Sequence, residues 1–421
     1  MFRFEKAKTY VSGALTKKEL GLSAVDVAGA REYILNYWPI LIHTQTKDVG
    51  SLIGVPYPYL VPSSAKGHEF DYEELFYWDS YFMVQGLWDQ KHKDLISGIA
   101  DDLIFLFNRF HVIPNSSQYY MTSRSQPPFL TSLLFEIYEH YDLGQQWINE
   151  RMKVAEEEYH VVWMGQRKPN ARQVYRGLSR YYDYNYLNDI AETESGWDMT
   201  TRFYRKALNF LPVDLNALLY KYETDFARLA DINGDSQESE KWKLLANQRR
   251  DVMNELMWDK SKGLYFDFDY TKRKRGSIAS LASYYPMWAG MVNDQQAALL
   301  VKSLKRFENN GGLSATDFSS SLLFSPVPTQ WDYPNGWAPL HFIVIQALER
   351  YGYHNDAKRL ANKWLRCNLD WFLKNGVFLE KYNVVNTDKP PKKGLYPSQI
   401  GFGWTNSIFE RFCKDYIDSS V

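Results

Sequence analysis

The chain has 421 residues, enough to bury a large core as one large domain or two ordinary ones. Its net charge of −1 argues against a nucleic-acid or anionic-membrane partner. Two cysteines, Cys367 and Cys413, make no disulfide framework and fit reduced thiols in a cytoplasmic protein.

The N-terminus MFRFEKAKTYVSGALTKKEL lacks the charged, apolar, small-residue order of a secretion signal, and no apolar run reaches about 18 residues. Residues 1–25 read as a peripheral segment of a single domain spanning 1–421. After PYPYLVP (56–62) comes FYWDSYF (76–82), where Asp79 sits in an apolar helix stripe beside Trp78. A carboxylate buried there needs a partner. IPNSSQYYMTSRSQPP (113–128) places Asn115, Arg124 and Gln126 in one loop. LLFEIYEHYDLGQQWINERMKVA is a helical hairpin turning near Gly144, and GLSRYYD (177–183) follows it.

ESGWD (194–198) packs Glu194, Gly196, Trp197 and Asp198 together. A glycine beside a tryptophan breaks a helix where a flat ring is presented, and a stacking face next to an acid suits a sugar site. A plain helix start is the alternative. In VDLNALLYKYETDFARLADING, Leu215, Leu218, Leu219, Tyr222, Phe226, Leu229 and Ala230 form one helical stripe. Asn233-Gly234 stops it, and Asp235 caps the next helix with Glu238 three residues on. That helix continues the pattern through Trp242, Leu245 and Ala246. YFDFDY (265–270) is the best strand, and Lys272–Arg275 reads as a solvated turn.

QWDYPNGWAP (330–339) holds Trp331, Asp332, Asn335 and Trp337. FIVIQALERYGYHNDAKRLANKWL turns near Gly352, with Asn355 or Asp356 as cap. The tail carries EKYNV (380–384), with Glu380, and GFGWTN (401–406), with Trp404. The eight histidines show no ligand spacing, so no metal site is expected.

About a dozen helical segments without a Gly/Ser/Pro-rich linker predict an all-α fold with little β structure. The preferred architecture is an (α/α)₆ barrel, a toroid of six helical hairpins, with an open α-solenoid as the alternative. The aromatic-polar islands favour the toroid, because each lies near a helix end where loops would converge on one cavity.

In their order along the chain, these islands resemble the inverting trehalases of glycoside hydrolase family 37 over nearly the whole length. FYWDSYF, QWDYPNGWAP and GFGWTN carry the resemblance most specifically. It implies an (α/α)₆ barrel, no metal or cofactor, and hydrolysis of an α-glucosidic bond with inversion. It matches Asp198 to the general acid and Glu380 to the general base. Trp78, Asp79, Asn115, Arg124, Gln126, Trp197, Trp331, Asp332, Asn335, Trp337 and Trp404 match the sugar-binding wall. An inverting enzyme needs one protonated carboxyl on the leaving oxygen and one ionised carboxylate activating water. Glu194 and Asp332 are candidates for the negative charge that keeps the acid protonated. Structural alternatives stand beside these roles: Asp198 as a helix cap, Glu380 as a surface ion pair with Lys381, Arg124 as a loop tie, Trp331 and Trp337 as core.

Four departures from the family fall around the expected leaving-group side. SSAKGHEFDYEELF replaces an arginine-bearing Pro-Gly-Gly-Arg-Phe stretch after Pro62. The loop YYDYNYLNDIAETESGWD lacks a family arginine and glutamate. NTDKPPKK replaces a glycine-rich lid, and Leu395 stands where a glutamate is usual. The expected activity is hydrolysis of trehalose by a monomer. The alternatives are an α-glucoside with an anionic leaving group, of the glucosylglycerate type, and a sugar-binding protein without catalysis. Lys66, His68, Lys389, Lys392 and Lys393 are the cations that would attract an anionic leaving group.

Overall fold

The computed structural model describes residues 23–64 and 72–418. Thirteen α-helices occur among the described residues: α1 (Ala24–Leu41), α2 (Tyr77–Val84), α3 (Lys93–Phe110), α4 (Leu130–His140), α5 (Gln145–Glu158), α6 (Asn188–Thr193), α7 (Val213–Ile232), α8 (Ser236–Leu256), α9 (Tyr285–Trp288), α10 (Asp294–Ser303), α11 (Ala338–Arg350), α12 (His354–Asn375) and α13 (Gly403–Tyr416). Helices α2, α4, α7, α9, α11 and α13 form an inner ring, and α1, α3, α5, α8, α10 and α12 lie outside it. The short α6 belongs to the connection that precedes α7. Strands are two or three residues long and occur in small pairs or a three-stranded patch. This is the (α/α)₆ toroid. An open solenoid would leave α2 and α13 apart, whereas here they pack together and close the ring.

Closure depends on residues without side chains. A Cβ on Gly403 would come 2.5 Å from the Met83 sulfur, and one on Gly86 would come 2.5 Å from the Ser407 carbonyl oxygen. The Gly86 N–H donates to Ser407 Oγ at 2.7 Å, which fixes the register of the two helices.

The hairpin α7–α8 shows how sequence separates the two layers. Outer α8 buries Ser239, Trp242, Ala246, Arg249 and Met253, one stripe at helical spacing. Inner α7 is buried almost all round, and its polar Asp214, Asn216, Glu223 and Asp225 are buried with its apolar residues. Burial of such groups requires partners. Arg249 from α8 reaches Glu223 at 2.8 Å. The expected Asp235 cap is present, its side chain accepting from the Glu238 N–H at 3.0 Å. The expected Asn355 or Asp356 cap is not: α12 begins at His354 and puts both inside its first turn, without a side-chain cap. YFDFDY is broken as well, since Leu264–Tyr265 and Phe268–Asp269 pair in different sheets. Leu229 is only half-buried, while Lys272–Arg275 is exposed. Both cysteines are free and buried. No helix among the described residues is long and apolar enough to cross a membrane.

Candidate active site

The N-terminal ends of α2 and α13, with the loops beside them, frame a cavity of about 400 Å³. Trp78 and Asp79 lie in the first turn of α2, Trp404 in the first turn of α13, and Gln126 just before α4. Of the residues singled out in the sequence, Trp78, Asp79, Asn115, Arg124, Gln126, Asp198, Trp331, Glu380 and Trp404 line this cavity. Gln126 Oε1 accepts the Trp78 N–H at 2.9 Å, satisfying one of the unpaired donors at the start of α2. Asn115 donates its amide to the carbonyl of Ser125 at 3.1 Å, tying the loop upright. Arg124 faces Asp183 at 3.4 Å, and its buried Nε has no protein partner.

Asp198 follows the turn at Gly196, whose φ of +74° and 2.5 Å approach to the Trp78 ring both require glycine. Burial pushes the Asp198 carboxyl up to about 7, and the charge of Glu380 adds to the rise. Neither expected neighbour supplies that charge. Glu194 pairs with Arg172 and accepts the backbone N–H groups of Ser125 and Tyr182. Asp332 accepts the Thr201 N–H at 3.0 Å and the Thr200 hydroxyl at 2.9 Å, holding the loop that leaves the acid.

Glu380 is not on the surface. It immediately precedes a short strand, Lys381–Asn383, that pairs antiparallel with Asn335–Trp337. Lys381 Nζ donates to its Oε2 at 2.7 Å, and both side chains are buried. The Tyr396 hydroxyl donates to its Oε1 at 3.0 Å. Trp404 Nε1 donates to the Glu380 carbonyl at 3.0 Å.

A column of three indoles joins the two carboxylate segments. Trp197 stacks on Trp331 with centroids 5.4 Å apart, and Trp331 stacks on Trp337 at 3.7 Å. The Arg202 guanidinium covers Trp197 at 4.3 Å, and Lys381 Nζ lies 5.0 Å over Trp337. Only Trp331 of the three reaches the cavity. Trp197 and Trp337, expected as sugar contacts, therefore stand behind the wall. The same correction applies to Asp332 and to Asn335. The Asn335 amide donates to the carbonyls of Gln330 and Lys392 and accepts the Lys392 N–H at 2.8 Å, closing the turn rather than facing a ligand.

The sequence reading missed Glu74, Tyr72 and Tyr396, which also line the cavity. No motif marks them: each lies in a loop segment where the match to the family breaks down. Burial raises the Glu74 carboxyl. Among the described lining residues, Glu74, Asp79, Asp198 and Glu380 are acidic and Arg124 is the one cation. Lys389 and Lys393 are exposed. Lys392 donates to Thr329 Oγ1 at 2.9 Å. None of these three lysines lines the cavity. Lys66 and His68 lie outside the described residues.

A toroid whose central cavity holds an aspartate with a raised pKa, a glutamate and an aromatic wall defines a glycoside hydrolase. The chain matches the trehalase family over residues 25–195 and 182–416, and it belongs to that family. It is similar to the neutral trehalase Nth1 from Saccharomyces cerevisiae, with 27% identity and a TM-score of 0.77, over 93% of this chain and 80% of that one. It also shares its fold with the GH63 mannosylglycerate hydrolase from Thermus thermophilus. That likeness has 18% identity and a TM-score of 0.65, over 90% of this chain and 99% of that one.

Proposed function

We propose that this glycoside hydrolase cleaves α,α-trehalose to two glucose molecules with inversion at the attacked carbon, Asp198 acting as general acid and Glu380 as general base. The observation that carries the reading is the pairing of these two carboxylates in one cavity, where burial and Glu380's charge favour the protonated form of Asp198. Asp198 gives its proton to the glycosidic oxygen as the bond to the anomeric carbon breaks. Water attacks that carbon from the opposite face and loses a proton to Glu380. Trp78, Trp331 and Trp404 supply apolar ring surface to the sugar. The name of the yeast neutral trehalase supports trehalose as substrate. So does the acidic lining, which disfavours a negatively charged leaving group.

The test is fast proton NMR of the products. Freshly released glucose from the attacked ring is expected as the β anomer, with trehalose turned over faster than glucosylglycerate, sucrose, maltose or kojibiose. The leaving ring keeps its α configuration, so α- and β-glucose should appear first in equal amounts; α-glucose alone at early times would mean a covalent intermediate on Glu380 and would refute inversion. A sugar bound but never hydrolysed would leave a binding protein.

The pH dependence follows from Asp198. The acid must be protonated to act, and its raised value lies at about 7. Activity is therefore expected to fall as pH rises through about 7, read as the basic limb of kcat/KM against pH.

A further inference from the structure

Glu380 and Asp198 lie on loops far apart in the chain, yet one side-chain chain connects them. Tyr396 donates its hydroxyl to Glu380 Oε1 at 3.0 Å. The Gln330 side chain lies beside the Tyr396 oxygen and donates Nε2 to the Asp198 carbonyl at 2.7 Å. Gly394 makes room for the link: a Cβ there would lie 2.0 Å from Gln330 Oε1, so the loop carrying Tyr396 settles directly on the Gln330 amide. Trp331, next to Gln330, donates its backbone N–H to the Met199 carbonyl at 3.2 Å, fastening the same segment behind the acid.

We propose that Tyr396 is a positioning residue for the base Glu380, and that Gln330, bonded to the Asp198 backbone and packed beneath the loop that carries Tyr396, is the strut that sets the base against the acid. The proposal rests on the assignment of Asp198 and Glu380 as acid and base. Lys381 holds Oε2 of the carboxylate and Tyr396 holds Oε1, so the plane of the carboxylate is fixed and the base faces the cavity in one orientation. A hydrogen bond donated to an ionised carboxylate favours that form. The other groups acting on Glu380 are Lys381 beside it and, across the cavity, Asp198, Asp79 and Tyr72. Tyr396→Phe leaves all of these in place and removes one hydroxyl.

The experiment compares wild type, Tyr396→Phe and Gln330→Met. Tyr396→Phe is expected to lower kcat about tenfold or more with KM changed less than about twofold, the loss of one hydrogen bond to a charged group. The acid limb of kcat/KM should move to higher pH, because the carboxylate has lost a donor. Gln330→Met should lower kcat as well and disturb both limbs, since it releases acid and base together. A rise in KM alone would make Tyr396 a substrate contact, and an unchanged kcat and acid limb would leave it a bystander; either result overturns the proposal. A second readout does not need turnover. With ¹³C-labelled glutamate carboxyls, the Glu380 resonance is identified by its loss in Glu380→Gln and titrated in wild type and Tyr396→Phe. Its midpoint should rise in the variant, and an unmoved midpoint overturns the proposal. If wild type hydrolyses no α-glucoside, the functional reading fails while this titration still decides the role of Tyr396.

Discussion

Replacing Asp198 with asparagine should lower turnover of trehalose ~10²–10⁴-fold, the usual contribution of a general acid, with the fold intact. Asp198 is half-buried, and its acid form is favoured by its desolvation and by Glu380. The amide of asparagine fills the same volume and carries no ionisable proton. Glu380→Gln should lose activity over a similar range, but the two defects differ in kind. With an α-glucosyl substrate whose leaving group departs unprotonated, Asp198→Asn should recover much of its rate and Glu380→Gln should recover less, because water still needs a base. Steady-state rates on trehalose and on such an activated substrate check the division of roles. Equal recovery by the two variants would contradict it, and near-normal turnover of trehalose by either would remove that residue from the chemistry.

Arg202→Met should be the most destabilising single change near the site. The Arg202 guanidinium is fully buried and bridges Asp214 at 2.9 Å and Asp267 at 2.9 Å. Removing it leaves two carboxylates buried without their cation, which costs about 3–5 kcal/mol when one partner of a buried pair is deleted. It also uncovers the outer face of Trp197, the first ring of the column behind Trp331. The expected result is a large drop in the urea midpoint at neutral pH. The sign of its pH dependence is specific. In the folded variant burial holds the orphaned Asp267 carboxyl above its usual range, and so above that of the unfolded chain. It takes up a proton first as pH falls, so the penalty should shrink towards acid pH. A penalty equal at pH 5 and pH 8 would show that lost packing, not stranded charge, dominates.

The six-hairpin architecture was legible because amphipathic helices of ordinary length alternate with short turns. Asp235 and its Glu238 partner show how local that information is. Cavity-facing residues such as Trp78, Asp79, Asp198 and Glu380 were legible through their motifs, because a motif records which residue types occur together. It does not record depth. Trp331 and Trp337 are six positions apart in one motif, yet one forms the wall and the other stacks behind it. Asp332 and Asn335 look like ligands for sugar hydroxyls, and both serve backbone groups instead. Lys381 next to Glu380 suggested a solvated ion pair, but the strand pairing with Trp337 buries both. Tyr396 gave no signal, since its role arises from where a loop lands on Gln330, and no periodicity encodes that landing.

Closure of the ring through α2 and α13 has a temporal consequence. The first inner helix carries Trp78 and Asp79, and its neighbour across the seam is the last inner helix, which carries Trp404. During synthesis α2 emerges with one flank bare and must wait for nearly the whole chain before its partner exists. Glu380 likewise hangs from a carbonyl held by Trp404, so the base has no anchorage until the final helix docks. Contacts between such distant segments are slow to form, because the intervening chain must be ordered first. Hydrolytic activity would therefore appear late and all at once, and a chaperone that shields the open seam would act on yield rather than on rate of turnover.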